Sequence, residues 1–251
     1  MHNYNGNVAV IILAAGMGTR MKSDKAKVLH TICNKPMINY VVETAVKIAG
    51  RNVIAVVGHQ ADMVRQIVSK DAEVKYAHQK EQLGTGHATM CAIAQIPENI
   101  KDIIVLCGDV PNLSSETILN LIDKHKNENN DATVLAVEIE DPQGYGRIIV
   151  DGNKKFVKIV EESDANEYEK AIKVINSGIY CVDKIFLENS LAKIRNSNAQ
   201  NEYYLTDIIE IGNTENKKIG LFVSEDYTEV IGVNSHDDLL LAEKLMERKN
   251  F

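Results

Sequence analysis

An unbroken apolar run near the start of the chain ends directly in a glycine-rich loop. Residues Val8 to Leu13 contain no polar side chain, and the residues that follow, Ala14 to Gly18, are mostly small. A strand without polar alternation is buried on both faces, which places it at the centre of a parallel sheet. Ligands of such sheets bind beyond the carboxyl ends of the strands, where this loop lies. The feature therefore predicts an α/β fold with a ligand site at one edge of its sheet.

Further apolar segments alternate with helical patterns along most of the chain. Strands are predicted at 53–57, 74–77, 103–107, 132–139, 178–182 and 220–223. Helices are predicted from Pro36 to Gly50, after a cap at Ser114, and at 61–69, 87–94, 185–194, 204–211 and 236–249. Alternation of this kind favours right-handed strand-helix-strand units. We predict a Rossmann-like α/β fold, a mostly parallel mixed sheet flanked by helices.

The pattern of apolar and polar residues changes in the segment 143–178. Short β-like pieces at 147–150 and 156–160 surround the turn Asp151-Gly152-Asn153. We interpret this segment as a small β-rich lobe inserted into the main domain. No repeat or glycine-rich and proline-rich linker divides the chain. Residues 1–251 are therefore predicted to form a single domain, with a core of about 1–142 and 179–251.

Composition excludes several classes of protein. The formal net charge of −7 argues against a nucleic-acid binder, but a small anionic ligand needs only a few local donors. The four cysteines lie far apart, which favours reduced thiols over a zinc site or disulfides. No apolar run approaches the ~20 residues of a membrane span, and no signal peptide is recognisable. We therefore expect a cytoplasmic protein with no membrane partner; its oligomeric state stays open.

The loop after the first strand has the chemistry of a phosphate site. Gly16 and Gly18 let backbone N–H groups approach a polyphosphate, and Arg20 and Lys27 supply positive charge. The dinucleotide-binding pattern G-x-G-x-x-G would need glycine at Met21, and the Walker A loop has no match. An anion cradle of another type is predicted.

Two further segments follow predicted strands and carry polar groups. Gln79 and Gln82 precede a glycine pair, and an amide offers the donor and the acceptor that an imide edge such as that of uracil requires. Asp109 follows the apolar strand at 103–107, where a divalent cation would hold its carboxylate ionised. Asp109 could instead begin a turn before Pro111, so the residues alone leave both interpretations open.

At these positions the sequence resembles the sugar nucleotidyltransferase superfamily. The loop pattern L-A-A-G-x-G-T-R-M runs here from Leu13 to Met21, and the lysine of the following P-K-V-L-like segment is Lys27. Alanine stands at position 26, where proline is usual, and we expect this to loosen the approach to Lys27 without removing a chemical group. The segment from Gln79 to Ala88 is similar to that of the N-acetylglucosamine-1-phosphate uridyltransferases.

The resemblance extends over about Val8 to Leu245 and implies roles for individual residues. It implies a nucleotide-diphospho-sugar transferase fold with a sugar-binding lobe, and it implies Mg²⁺ as cofactor, with Asp109 and Asn234 as its ligands. Catalytic roles are implied for Arg20 and Lys27, and sugar contacts for Gly146, Glu161 and Asn176. The nucleotide-binding residues that it implies are Leu13, Ala14, Ala15, Gly16, Gly18, Thr19, Gln79, Gln82, Gly84 and Thr85. The stretch Asn201 to Asp207 also matches these enzymes, but no role follows for it.

The activity that the resemblance implies is the transfer of a uridylyl group from UTP to N-acetylglucosamine 1-phosphate, with release of pyrophosphate. The alternatives are a different pair, such as glucose 1-phosphate with UTP or dTTP, a metal-dependent glycosyltransferase, or a non-catalytic nucleotide-sensing domain. We expect the hexapeptide-repeat acetyltransferase domain of the bifunctional bacterial enzymes to be absent. The expected partners are therefore the small-molecule substrates alone.

Overall fold

The computed structural model describes residues 6–249, with the backbone alone for Thr19 and Lys249. Its strands are β1 Val8–Ala14, β2 Thr31–Ile32, β3 Lys35–Pro36, β4 Val53–Val57, β5 Lys75–His78, β6 Asp102–Cys107, β7 Ala132–Glu138, β8 Arg147–Val150, β9 Phe156–Val160, β10 Val174–Asp183 and β11 Ile219–Ser224. Its α-helices are α1 Met37–Ala49, α2 Ala61–Val68, α3 Thr85–Ile93, α4 Ser115–Asn127, α5 Glu167–Lys170, α6 Lys184–Leu191, α7 Asp207–Thr214 and α8 His236–Lys249. Short 3₁₀ helices span Thr19–Met21, Lys27–Leu29 and Tyr227–Glu229.

The main sheet has the strand order β11-β7-β10-β6-β1-β4-β5. Strand β1 is central and pairs in parallel with β4 and β6, and β10 alone among these seven strands runs in the opposite direction. The prediction of a mostly parallel mixed sheet is confirmed. Because β1 has a strand on each side and helices above and below, its residues Val8 to Ile12 are fully buried, as the apolar run predicts.

Helices cover both faces of the sheet and close a separate apolar layer on each. Alternate residues of β1 contribute to the two layers: Val8, Val10 and Ile12 to one, Ala9 and Ile11 to the other. The first layer receives the apolar sides of α1, α2 and α4, and the second those of α3, α6 and α7. This two-sided burial fixes the direction of β1 and therefore the place where its loop emerges.

Strand β10 joins the main sheet to a small antiparallel extension. It begins at Val174, earlier than the predicted start at 178, because its first residues pair with β7 before a register shift between Asn176 and Ile179. Gly178 lies in this irregularity with φ of +76°, a backbone conformation that glycine adopts readily. Strands β8 and β9 pair with each other, and β8 pairs with β10 at Ile175. The division of the chain into a core and an inserted lobe at 143–178 stays a prediction.

One helix differs clearly from its prediction. Helix α7 begins at Asp207, three residues after the predicted start at Tyr204. The backbone N–H group of Tyr203 instead donates to Leu83 O. The N–H group of Leu205 donates to Oγ1 of Thr85, the first residue of α3. These long-range bonds hold the segment before α7 extended, and local periodicity does not reveal them.

A search of residues 6–249 for helices long and apolar enough to cross a bilayer found none.

Candidate active site

Two adjoining cavities lie where the parallel strands β1, β5 and β6 end. Both are lined by Leu13, Thr85, Cys107 and Asp109. The first also contains the predicted nucleotide-binding residues Ala14, Ala15, Gly16, Gln79, Gln82 and Gly84, together with Lys27. The second contains Arg20, Gly146, Glu161, Asn176 and Asn234. The fold therefore brings residues that are distant in the sequence to one edge of the sheet, as expected for parallel strands.

One predicted residue of the loop after β1, Gly18, lines neither cavity. Residues 15–26 connect β1 to the 3₁₀ helix that carries Lys27, and this segment is named the glycine loop below. Gly18 lies in it with φ of +69°, and a Cβ atom there would stand 2.5 Å from Cβ of Lys27. Glycine at this position therefore lets the loop pack directly on the lysine side chain. For Thr19 the structure describes only the backbone, in a 3₁₀ helix with Arg20.

A cluster of charged and amide side chains lies between the two cavities. The ammonium group of Lys27 donates to the carboxylate of Asp109 and to Oδ1 of Asn234, the latter at 3.1 Å. Arg20 donates to the same Asn234 oxygen over 2.8 Å. The side chains of Lys27 and Asp109 are 17% and 18% exposed, so this ion pair is partly shielded from water. The four side chains thus form one polar cluster at the junction of the cavities.

Hydrogen bonds between two chain segments fix the separation of Asp109 and Asn234. The N–H group of Val233 donates to the carbonyl of Asp109 over 2.9 Å. Further along, the carboxylate of Glu229 accepts from the Ser114 hydroxyl at 2.9 Å and from the Thr117 hydroxyl at 2.5 Å. Glu229 therefore anchors the segment before Asn234 to the first turn of α4. No sequence pattern predicts this bond, because its partners are more than one hundred residues apart.

The backbone of Asn234 is held by the first turn of α8. Asp238 Oδ2 accepts from the N–H groups of Asn234 and Ser235 at 2.9 and 2.8 Å, and the Ser235 hydroxyl accepts from Asp238 N at 3.2 Å. This is a reciprocal capping arrangement of the S-x-x-D type, which the pattern Ser235 to Asp238 could have revealed. Ser235 takes the capping bond, so the side-chain oxygen of Asn234 is available to Arg20 and Lys27.

The oxygen atoms of Asp109 and Asn234 suit a hard divalent cation. One carboxylate and one amide oxygen already converge on the same ammonium group. Mg²⁺ commonly takes one or two protein oxygens and completes its shell with phosphate oxygens and water. Within residues 6–249 no group of three or more His, Cys, Asp or Glu side chains is arranged to hold a metal, so a zinc-type site is not supported there.

The first cavity ends at a fixed amide group. Gln79 is 3% exposed, and its Nε2 donates to Gly84 O at 3.0 Å and lies 3.1 Å from Nδ1 of His87. Because a carbonyl oxygen must face the nitrogen of the amide, this orientation is chemically determined. Both hydrogens of Nε2 are engaged, and only the carbonyl oxygen of Gln79 remains to accept from a ligand. The role of His87 in this arrangement was not predicted from the sequence.

The extended segment before α7 forms one wall of this cavity. Besides the bonds from Tyr203 and Leu205, the N–H group of Gly86 donates to Tyr203 O over 2.7 Å. A Cβ atom at Gly84, whose φ is +101°, would lie 2.6 Å from the same oxygen. Glycine at positions 84 and 86 therefore permits close packing of the two backbone segments. The stretch Asn201 to Asp207, which received no role from the sequence, supports the loop that precedes α3.

The second cavity contains a buried carboxylate. Burial raises the pKa of Glu161, the Thr206 hydroxyl opposes this by donating to it at 3.1 Å, and nearby acidic groups including Asp164 raise it further. A Cβ atom at Gly146 would stand 3.3 Å from Oε2 of Glu161, so glycine leaves the floor beside the carboxylate open. Asn176 is held by Tyr180, to whose hydroxyl oxygen its Nδ2 donates over 2.9 Å.

A thiol lies at the junction of the cavities but is poorly suited to nucleophilic chemistry. Desolvation in the protein interior, together with the nearby Asp109 carboxylate, raises the pKa of Cys107 to about 12. The thiol stays protonated at neutral pH, and it donates to Gly178 O over 3.4 Å. None of the four cysteines is joined in a disulfide; Cys181 is buried and Cys33 is exposed.

Two solved structures of low sequence identity share the fold. UDP-glucose pyrophosphorylase, complexed with UDP-glucose, matches with a TM-score of 0.76 and 19% identity over 97% of this chain and 99% of its own. A protein from Bacillus anthracis described as a glucose-1-phosphate thymidylyltransferase, in complex with sucrose, gives a TM-score of 0.71 and 20% identity over 95% and 94%. These likenesses confirm the predicted nucleotide-sugar pyrophosphorylase fold.

Closer relatives and a family profile agree with the predicted resemblance. The chain is 50% identical over 240 residues to the bifunctional protein GlmU of Caldanaerobacter subterraneus subsp. tengcongensis, covering 95% of this chain and 51% of that protein. It is 41% identical over 244 residues to the bifunctional protein GlmU of Desulfotalea psychrophila, covering 97% of this chain and 72% of that protein. The chain thus spans about half the length of the first of these relatives. The profile of the nucleotidyl transferase family matches residues 9–245, and the chain belongs to this family.

Proposed function

We propose that this chain transfers the uridylyl group of UTP to N-acetylglucosamine 1-phosphate, which yields UDP-N-acetylglucosamine and pyrophosphate in the presence of Mg²⁺. The observation that carries the proposal is the cluster of Arg20, Lys27, Asp109 and Asn234 between two cavities. One cavity has an amide acceptor at its end, and the other has a buried carboxylate on an open glycine floor. A nucleotide in the first and a sugar phosphate in the second would meet at this cluster.

The first cavity suits a uracil base and its triphosphate. The free carbonyl oxygen of Gln79 accepts from the N3–H group of uracil, a group that cytosine lacks. The phosphates extend toward the glycine loop, where the N–H groups of Gly16 to Thr19 and the side chain of Arg20 provide donors. UDP-glucose pyrophosphorylase, which shares the fold, was solved with a nucleotide sugar bound, and this supports the assignment of the two cavities to the two halves of such a product.

Asp109 and Asn234 would hold Mg²⁺ through their side-chain oxygens. The metal, when bound, neutralises negative charge on the substrate phosphates. The chain's own contribution is to keep the two oxygens together, through the bond between Val233 and Asp109 and the anchor of Glu229 on α4. Lys27 contacts the same oxygens, so the lysine and the metal share their ligands.

The proposed reaction is a direct displacement at phosphorus. An oxygen of the sugar 1-phosphate forms a bond to the α-phosphorus of UTP, and the bond from that phosphorus to the bridging oxygen of the pyrophosphate breaks. The attacking oxygen is already ionised at pH 7, so no general base is needed. The main obstacle is repulsion between two anions, and Arg20 and Lys27 lower it by offsetting charge on the nucleotide phosphates.

The second cavity suits an N-acetylated amino sugar. Glu161 accepts from N–H or hydroxyl donors of the sugar, and Asn176 and the backbone at Gly146 border the same space. The resemblance to the N-acetylglucosamine-1-phosphate uridyltransferases supports this choice. Because the chain spans about half of its first bifunctional relative, no second activity is proposed for it.

A substrate panel tests the proposal. Pyrophosphate release is measured for UTP with the 1-phosphates of N-acetylglucosamine, glucosamine and glucose, and for dTTP with glucose 1-phosphate. Fastest release with UTP and N-acetylglucosamine 1-phosphate supports the proposal. Faster release with glucose 1-phosphate would identify the other nucleotidyltransferase pair. No release from any pair, with UDP-sugar hydrolysed or transferred instead, would favour a glycosyltransferase.

A further inference from the structure

The loop between β4 and α2 contacts both ends of the glycine loop. At the first end, the N–H group of His59 donates to Ala15 O over 3.2 Å. At the second end, the side chain of Gln60 makes two hydrogen bonds: its Oε1 accepts from the N–H group of Ala26, and its Nε2 donates to Asp24 O, each over 2.8 Å. Two consecutive residues thus join the beginning and the end of the glycine loop.

Gln60 has an unusual backbone conformation for a long side chain. Its φ of 52° and ψ of 37° lie in the left-handed region, which glycine, asparagine and aspartate adopt more readily than glutamine. Gln60 precedes α2 directly, yet its side chain makes no capping bond to that helix. A strained residue whose side chain serves a neighbouring loop indicates a requirement for that side chain.

The hydrogen bond from Ala26 to Gln60 acts at a point of the chain that a proline ring could restrain. Ala26 is 1% exposed and has φ of −52°, a value that proline would fix through its ring. A proline at this position would fit this φ but would have no N–H group to donate. In this chain the N–H group of Ala26 is present and donates to Gln60. Gln60 therefore restrains by hydrogen bonds the same point of the chain that a proline would restrain by its ring.

Restraint at this point is transmitted to the phosphate-binding groups. Lys27 follows Ala26 directly, and Gly18 packs against Cβ of Lys27. A shift of Ala26 would move Lys27 and, through the contact with Gly18, the N–H groups on either side of that glycine. A loop that is ordered before a ligand arrives binds it more tightly, because less conformational entropy is lost on binding.

We propose that Gln60 is a positioning residue for the nucleotide phosphates, which closes the glycine loop in place of a proline at position 26. This inference rests on the proposed function, since it assumes that the glycine loop binds the triphosphate of UTP. Gln60 itself lines neither cavity.

The substitution Gln60→Gly separates this role from a purely structural one. Glycine relieves the left-handed backbone, and this gain offsets the stability that is lost with the two hydrogen bonds, so the melting temperature should change little. The loss of two hydrogen bonds to the loop should raise the KM and the Kd for UTP about tenfold. The KM for the sugar 1-phosphate should change less, within about twofold, because Arg20 is the one described residue of the glycine loop that lines the second cavity. Gln60→Asn, which keeps the amide but is too short to span both partners, should show the same loss of UTP affinity.

A matched control exists in the turn between α7 and β11. Asn216 is also left-handed, with φ of 57°, and it is exposed. Asn216→Gly should also change the melting temperature little, and it should leave UTP binding unchanged.

Restoring the proline provides the decisive test. In the Gln60→Gly background, Ala26→Pro should return the Kd for UTP to within about threefold of the unsubstituted chain. UTP affinity that stays within twofold after Gln60→Gly, or that Ala26→Pro does not recover, would overturn the proposal for Gln60 alone. If UTP does not bind the unsubstituted chain in calorimetry, the proposed function itself fails, and the role of Gln60 fails with it.

Discussion

The ammonium group of Lys27 is hydrogen-bonded to the carboxylate of Asp109, the residue that follows β6. The same ammonium contacts Asn234, so one lysine bonds to both of the oxygen ligands proposed for Mg²⁺. A lysine and a divalent cation that share two oxygens compete for them. Binding of the cation would release Lys27 toward the substrate phosphates.

Replacement of Lys27 by methionine should therefore affect turnover and metal binding in opposite directions. Pyrophosphate release should fall at least ~100-fold, because a charge that stabilises the transition state is lost. Mn²⁺ should bind several-fold more tightly in the absence of nucleotide. This binding is measured by electron paramagnetic resonance of the free ion. Lys22→Met, at an exposed residue of the same loop, should leave Mn²⁺ binding unchanged. Weaker Mn²⁺ binding in Lys27→Met would contradict the shared-ligand arrangement.

Asp109→Asn should remove most of the activity while the fold persists. We expect kcat to fall by at least ~10²-fold, since a metal-held charge contributes several kcal/mol to transition-state stabilisation. Excess Mg²⁺ should not restore the rate. Asp102→Asn is the matched control, because Asp102 begins the strand that Asp109 follows and lies at the opposite edge of the sheet. Turnover of Asp109→Asn within a few-fold of the unsubstituted chain would mean that the metal ligand has been wrongly assigned.

Local apolar patterns were sufficient to predict most of the sheet. The bounds of β4 and β9 agree with the predictions, because each is an apolar segment whose ends are marked by polar or turn residues. Helix α7 was predicted three residues too early because Leu205 donates to Thr85, 120 positions away in the sequence. A bond of that range leaves no periodic signal, so tertiary contacts decide where such an element begins.

The candidate site was likewise predictable only in part from the sequence. Arg20 and Lys27 could be interpreted as phosphate-binding residues from the loop that carries them, whereas for Asp109 the residues alone left a turn and a metal ligand both open. Their mutual geometry could not be predicted, because it depends on the pairing of β1 with β6 and on the hydrogen bonds of Glu229 to α4. The orientation of the Gln79 amide was likewise hidden, since it is set by the carbonyl of Gly84.

Gln79 should determine the preference for UTP over CTP. Its only free polar atom is an acceptor, which suits the N3–H group of uracil and repels the unprotonated N3 of cytosine. In Gln79→Met, which is similar in size and lacks the amide, kcat/KM for UTP should fall about tenfold or more, because a buried base donor loses its partner. The value for CTP should stay the same or rise. An unchanged ratio of the two values, measured by pyrophosphate release, would place base recognition elsewhere in the cavity.

Asp207, at the start of α7, should make the protein less stable as the pH rises. Burial raises the pKa of this carboxyl to about 6, and the charges of Glu210 and Asp164 add to the effect. In the unfolded chain the pKa of the same carboxyl is ~3.9. Below both values the group is protonated in either state and costs nothing. Between about 4 and 6 the unfolded state releases the proton first, so stability falls, and above about 6 the loss is complete.

Asp207→Asn removes this penalty, because an amide does not ionise. Its melting temperature should exceed that of the unsubstituted chain at pH 8, and the difference should shrink as the pH falls through about 6 and vanish below about 4. Glu116→Gln is the control, since Glu116 is an exposed acid in the first turn of α4 and its replacement should not raise the melting temperature at any pH. Thermal unfolding of the three proteins, measured from about pH 4 to pH 8, tests this prediction. A difference between Asp207→Asn and the unsubstituted chain that is independent of pH would show that the carboxyl is not the source of the penalty.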